Sequence, residues 1–204
     1  MTNHLHKGDL PAGLDLGNIV AIDSETMGLN TKRDALCVVQ LSAGDGDAHV
    51  VQLDRETYDA PNLKALLADD SVIKIFHYAR FDIAAFKHWL GVDTKPLYCT
   101  KIASKLCRTY TDRHGLKDLT RELLSVDMSK QQQSSDWGAA SLSQAQIDYA
   151  ASDVLHLHAL RNKLEEMLAR EGRSGLATAC FDFLPMRATL DLEGWPETDI
   201  FAHS

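Results

Sequence analysis

Five residues at three places along the chain have the types and spacing for metal-assisted hydrolysis: Asp23 with Glu25, then Asp82, then Tyr149 with Asp153. Asp23 and Glu25 follow the apolar run NIVAI, and two positions apart in a strand they face the same way. Tyr149 and Asp153, four apart, share one face of a helix. Four carboxylates on separate elements can hold two hard divalent ions about 3.5–4 Å apart, which stabilises both the attacking and the leaving oxygen of a phosphoryl transfer. Each motif also has a plain structural reading: a strand end reaching solvent, a helix N-terminal acid favoured by the macrodipole at Asp82, and a polar helix edge at Asp153. The conjunction favours chemistry, because two carboxylates at the end of a core strand need compensation and a cation supplies it.

The elements that must position these groups follow from pattern. NIVAIDSET (residues 18–26), ALCVVQLSA (35–43) and HVVQLD (49–54) read as strands. The link Gly44-Asp45-Gly46-Asp47 makes a hairpin of the last two, and a further strand is expected at His4 to Leu10. Residues 60–70 have helical spacing and SVIKIFH (71–77) returns to a strand. Helices are expected at about Phe81–Leu90, stopped by Gly91, then near Thr100–Arg108 and Leu116–Leu124. After a polar loop at 130–141, Ser143 and Gln146 form a capping box that opens one long helix to about Arg170. One more short helix beyond Gly175 and an acidic, aromatic tail complete the chain. The fold class is α/β, a mixed sheet flanked by helices.

The 204 residues, 45% of them hydrophobic, suit one domain. No run approaches the roughly 18 apolar residues of a membrane span, and MTNHLHKGDL lacks a secretory apolar core, so a cytoplasmic protein with no membrane association is expected. The net charge of -8 argues against coating long nucleic acid and leaves a short anionic substrate open, provided metals and local basic residues offset it. Cys37, Cys99, Cys107 and Cys180 form no CxxC pair, which favours packed, reduced thiols over a zinc site.

The segments Asp23-Ser-Glu25-Thr26, His77-Tyr-Ala-Arg-Phe-Asp82 and Tyr149-Ala-Ala-Ser-Asp153 together resemble the DEDD 3′–5′ exonucleases of the ribonuclease H-like fold. The branch with a histidine five residues before the last aspartate would need it where Asp148 stands, so Tyr149 marks the tyrosine branch. Similarity to ribonuclease D continues through Lys130, Gln133-Ser-Ser-Asp136-Trp137, Leu142-Ser143 and Gln146, over about residues 15–170. Ribonuclease D proper adds helical nucleic-acid-binding domains after the catalytic one, and this sequence is too short to hold them. In length it is similar to the compact nanoRNase C oligoribonucleases of alphaproteobacteria, ring-like oligomers that cleave very short RNA.

That resemblance implies a ribonuclease H-like exonuclease domain over residues 1–204, with 176–204 a C-terminal extension making subunit contacts in a homo-oligomer such as an octameric ring. It implies short RNA as substrate, dinucleotides and linear di-GMP included, and DNA ends as a further one. Two ions, Mg2+ or Mn2+, are implied, with Asp23, Glu25 and Asp153 binding the one that activates water, Asp23 bridging to the second, and Asp82 supporting that second ion through water. Tyr149, a poor base at neutral pH, either orients the attacking water by hydrogen bonding or simply packs its helix. Thr26, Met27, Gly28 and Leu29 meet the terminal nucleotide, with Gly28 letting backbone approach the ligand. Leu29 either wedges against a base or is buried in the core, His77 is either substrate-side or satisfied by a core hydrogen bond, and Trp137 either stacks on a base or plugs its loop. Gln133 sits on the substrate side of that loop. Lys101, Lys105 and Arg108, and Arg113, Lys117 and Arg121, are either phosphate ligands or a solvated face with salt bridges. The rival functions are ribonuclease D-like trimming of longer structured RNA or DNA 3′ ends, and a non-catalytic nucleotide-binding scaffold.

Overall fold

A computed structural model of the chain describes residues 2–128, 131–132 and 134–203. Six strands form one mixed sheet: β1 (Asn3–Lys7), β2 (Ile19–Thr26), β3 (Leu36–Ser42), β4 (Ala48–Gln52), β5 (Ile73–Phe76) and β6 (Leu97–Cys99), in the order β1-β4-β3-β2-β5-β6. The β3–β4 hairpin forms across Gly44–Asp47, and β1 adds to it in parallel. β3 is buried at every position, as expected of a central strand covered on both faces.

The pairing of β2 opens the cleft. Its parallel partner β5 matches only Ile19, Val20 and Ala21, and after Phe76 the chain turns through Tyr78, at φ 75°, into helix α2 (Ala79–Ala85). The carboxyl half of β2, with Asp23, Ser24 and Glu25, therefore borders a gap that α2 fills from the side. α2 continues as a π-helical turn (Phe86–Leu90) capped by Gly91 in the left-handed region, where glycine carries no side-chain penalty.

The remaining helices are α1 (Pro61–Ala68), α3 (Thr100–Cys107), α4 (Leu116–Leu124), α5 (Gln144–Leu155), α6 (Leu157–Arg170) and α7 (Ser174–Leu192). The Ser143–Gln146 capping box is present. The single helix expected from Ser143 to Arg170 is two, broken at His156. Its apolar positions, Ile147, Ala150, Val154, Leu157, Leu160 and Leu164, keep helical spacing across the break, so only tertiary packing reveals it. α5 lies on β1 to β4, whereas α6 packs against α3 and α4.

Two further expectations are corrected. The three-residue strand β6 has no counterpart among the expected elements, being too short for periodicity to register. The last helix is 19 residues long, with Pro185 inside it. Its residues Phe181, Leu184 and Ala188 are buried in the main core, with Phe181 against Tyr98 at 4.7 Å between ring centroids. Up to Leu192 the expected extension is thus integral to the fold. Beyond it the tail folds back on α7, where Arg80 and Arg187 both bond Asp191 and Phe201 meets Phe183. Among the described residues no helix is long and apolar enough to cross a membrane.

Candidate active site

Three of the acids converge. One carboxylate oxygen each from Asp23, Glu25 and Asp153 lie within 4.8 Å of one another. β2 supplies the first two by its two-residue repeat, and α5, docked across the sheet by the capping box and its apolar face, supplies the third. Asp82, in the first turn of α2 and 3% exposed, stands outside this trio and accepts a 2.6 Å hydrogen bond from Ser24 Oγ. Asp23 in turn accepts from Gln40 Nε2 at 2.7 Å.

Burial is the main force on all four acids. It pushes Asp82 and Asp153 up to about 7 and Glu25 up to about 9, with the charges of Asp153 and Asp82 adding to the effect on Glu25. Asp23 is raised well above the carboxylate range by burial and then by Asp82, Asp153 and Glu25. Crowded, desolvated carboxylates of this kind call for a cation. The all-oxygen donor set of the trio fits a hard divalent ion.

Tyr149 stands one turn from Asp153 on the same face of α5, and burial followed by the Asp153 charge raises its phenol further above its ordinary value. The tyrosine is therefore a donor at neutral pH. Trp137 is 3% exposed, set among Cys37, Val38, Val50, Leu142 and Ile147 with its ring 6.1 Å from that of Tyr149. Base stacking needs an open ring face, so Trp137 is the plug of its loop and a support for Tyr149.

A cavity of about 330 Å³ lies over Asp23, Glu25 and Asp153, lined also by His77, Tyr78, Lys101, Lys117, Met128 and Tyr149. His77 shares a 2.9 Å hydrogen bond with Thr100, and burial, then the nearby Lys101, lower its pKa to about 3, so it is neutral. Lys101 sits over the Tyr78 ring at 4.2 Å. The two basic triplets thus divide. Lys101 and Lys117 reach the cavity, whereas Arg108 is fully buried in a bond to Glu122, which removes it as a phosphate ligand, and Arg121 stands half exposed in a surface pair with Asp118.

The segment Thr26 to Leu29 does not line this cavity. Leu29, 89% exposed, borders a neighbouring space of about 820 Å³ that meets the first at Tyr78, so its core-burial reading is overturned. Met27 is exposed as well, and Thr26 Oγ1 bonds Gly28 O. The reason for glycine at 28 is internal: a Cβ there would stand 2.3 Å from the Asp34 carboxylate, which Arg33 and Asn30 hold in place. Gln133 lies outside the described residues. Sequence reasoning missed Tyr78, Ser24 and Gln40. Ser24 was signalled by its place between two acids, and Gln40 by being an amide in an otherwise apolar strand.

The fold and acid cluster define a nuclease domain, and comparison with known proteins specifies it. Residues 10–169 match the 3′–5′ exonuclease family. Ribonuclease D of Granulibacter bethesdensis is 40% identical over 154 residues, 76% of this chain and 38% of that protein, and the chain spans less than half the length of the curated relatives it matches. The Escherichia coli RNase D structure superposes with a TM-score of 0.72 at 26% identity, over 84% of this chain and 45% of that one. Brucella melitensis NrnC matches over 100% of both chains, at 57% identity and TM-score 0.93 in a structure with bound Mg2+, and at 58% and 0.95 in one bound to pGG. The chain belongs to the ribonuclease D-like 3′–5′ exonucleases and, among them, to the NrnC group.

Proposed function

We propose that the protein is a cytoplasmic 3′–5′ exoribonuclease that degrades very short RNA, dinucleotides included, to nucleoside 5′-monophosphates with two divalent ions, Mg2+ or Mn2+. The observation that carries this is the acid-floored cavity of about 330 Å³ with two lysines on its wall, at the small end of the about 300–1,000 Å³ range of ligand pockets. The full-length likeness to a protein solved with pGG supports the same reading.

Asp23, Glu25 and Asp153 would hold one ion, and Asp23 with Asp82 the other. Bound ions lower the pKa of water and neutralise charge developing on the phosphate. The chain's own groups do the rest. Tyr149, kept protonated beside Asp153, donates a hydrogen bond that orients the attacking water. Lys101 and Lys117 balance the phosphate charge that neutral His77 does not. Leu29, standing free, wedges against a base. A scaffold without catalysis would have no need of four crowded acids, Asp82 buried and Asp23, Glu25 and Asp153 half-buried beside it.

Turnover of 5′-labelled RNAs of two, three, five, seven and twenty nucleotides, with Mg2+ or Mn2+ and with chelator, tests the reading. The dinucleotide is expected to be cleaved fastest, with all activity lost in chelator. Equal or faster trimming of the twenty-mer would replace it with ribonuclease D-like processing of longer RNA or DNA ends.

We also propose that residues 1–204 form one exonuclease domain that assembles into a homo-oligomeric ring through its C-terminal segment, where Trp195, Ile200 and Phe201 are exposed. The deletion that tests this starts at Glu193, sparing Asp191 and its bonds to Arg80 and Arg187. A lower sedimentation mass is expected, and an unchanged mass would remove the tail from the interface.

A further inference from the structure

β3 contributes LCVVQLS to the centre of the sheet, buried throughout. An amide in such a strand is costly unless its polar atoms are paired. Gln40 is fully buried and only half paired: Nε2 donates to Asp23 Oδ2 at 2.7 Å, while Oε1 has no partner. A leucine would fill the strand without that orphan. The arrangement makes sense as service to Asp23, because turning the amide over would set Oε1 against a carboxylate oxygen.

Register makes the contact. Gln40 stands directly across from Asp23 in the antiparallel β2–β3 pair, so both side chains leave the same face of the sheet. Asp23 is one of the three acids whose carboxylate oxygens lie within 4.8 Å of one another. Without a partner on one oxygen, its carboxyl group would be free to rotate out of that arrangement. A donor fixed on one oxygen holds the group's plane and leaves the other oxygen for a cation.

We infer that Gln40 is a positioning residue for the metal centre, orienting Asp23 through the Nε2–Oδ2 hydrogen bond so that the three-acid site is preformed for a divalent ion. The inference rests on the proposed reading of the acids as a metal site. Outer partners of this kind commonly set ion affinity by ~10–100-fold.

The test is Gln40→Met, which keeps length and volume and removes the donor, with Gln40→Leu as a second variant should the first not fold. Binding of Mn2+ to the metal-free full chain is followed by electron paramagnetic resonance of the free ion, alongside circular dichroism and turnover at increasing Mn2+. Expected are native circular dichroism, Mn2+ affinity weakened ~10–100-fold, and a turnover deficit that shrinks as Mn2+ is raised. Affinity equal to wild type in a folded variant would overturn the inference, as would a turnover deficit that saturating Mn2+ leaves untouched, which is the mark of a packing role. Absence of Mn2+ binding by the wild-type chain would instead bring down the metal reading itself, and the inference with it.

Discussion

Replacing Asp23 with alanine is expected to lower turnover of a dinucleotide by ~10³-fold or more while leaving the protein folded, a loss of about 4 kcal/mol or more of transition-state stabilisation. Asp23 belongs to the converging trio and is the acid on which Asp82, Asp153 and Glu25 all act. Without it, neither proposed ion keeps its shared ligand. The same crowding predicts the effect on stability. Relief of that crowding is offset by the buried Gln40 amide, which loses its bond to Asp23 Oδ2, so the melting temperature is expected to stay close to that of the wild type. Single-turnover release of mononucleotide, paired with thermal melts in chelator, checks both halves. Residual cleavage within tenfold of wild type would sink the metal assignment, and a variant that melts far lower would show Asp23 to be structural.

The acids were legible because their spacing is local. A repeat of two in a strand and of four in a helix can be read from Asp23 with Glu25 and from Tyr149 with Asp153 without knowing where either element lies in space. The order of strands and helices was readable for the same reason. What the chain hid depends on contacts between distant residues. The break at His156 follows from α5 and α6 serving different neighbours, across an apolar stripe that never falters. Trp137 could be placed only once its pocket among Val38, Val50 and Ile147 existed. Arg108, in a triplet that reads as a phosphate-binding row, turned inward to Ser104, Arg113 O and Glu122. Gln40 shows the limit most directly, since an amide in an apolar strand is visible in sequence but its partner is set by cross-strand register.

Metal-free protein is expected to lose thermal stability as pH rises from about 6.5 to 8, and added Mg2+ or Mn2+ to restore more of it at the upper end. The direction follows from the acids. Asp82 and Asp153 are raised to about 7, Glu25 to about 9 and Asp23 upward, so the folded chain holds protons that the unfolded chain has released. A raised carboxyl contributes stability fully below its unfolded pKa, and that contribution is lost as pH climbs through the folded value. Two other groups set the window. His77, lowered to about 3, makes stability rise with pH until its ordinary 6.5, opposing the acids below that point. Lys74, buried and bonded to the carbonyls of Asp69 and Lys95, falls to about 8 and opposes them above it. Between the two the four raised acids set the direction. One extra proton held across that interval is worth about 2 kcal/mol, or about 4–8 °C in a domain of this size. A divalent ion holds the carboxylates ionised, so its binding releases protons at pH 6.5 and fewer at pH 8. The increment in melting temperature on adding metal should therefore grow with pH over the interval, and differential scanning calorimetry at pH 6.5, 7.2 and 8.0 in chelator and in metal reads it directly. A chelator melting curve that climbs over this range would mean that the acids are not held protonated by their burial, and the crowding argument for a metal site would go with it.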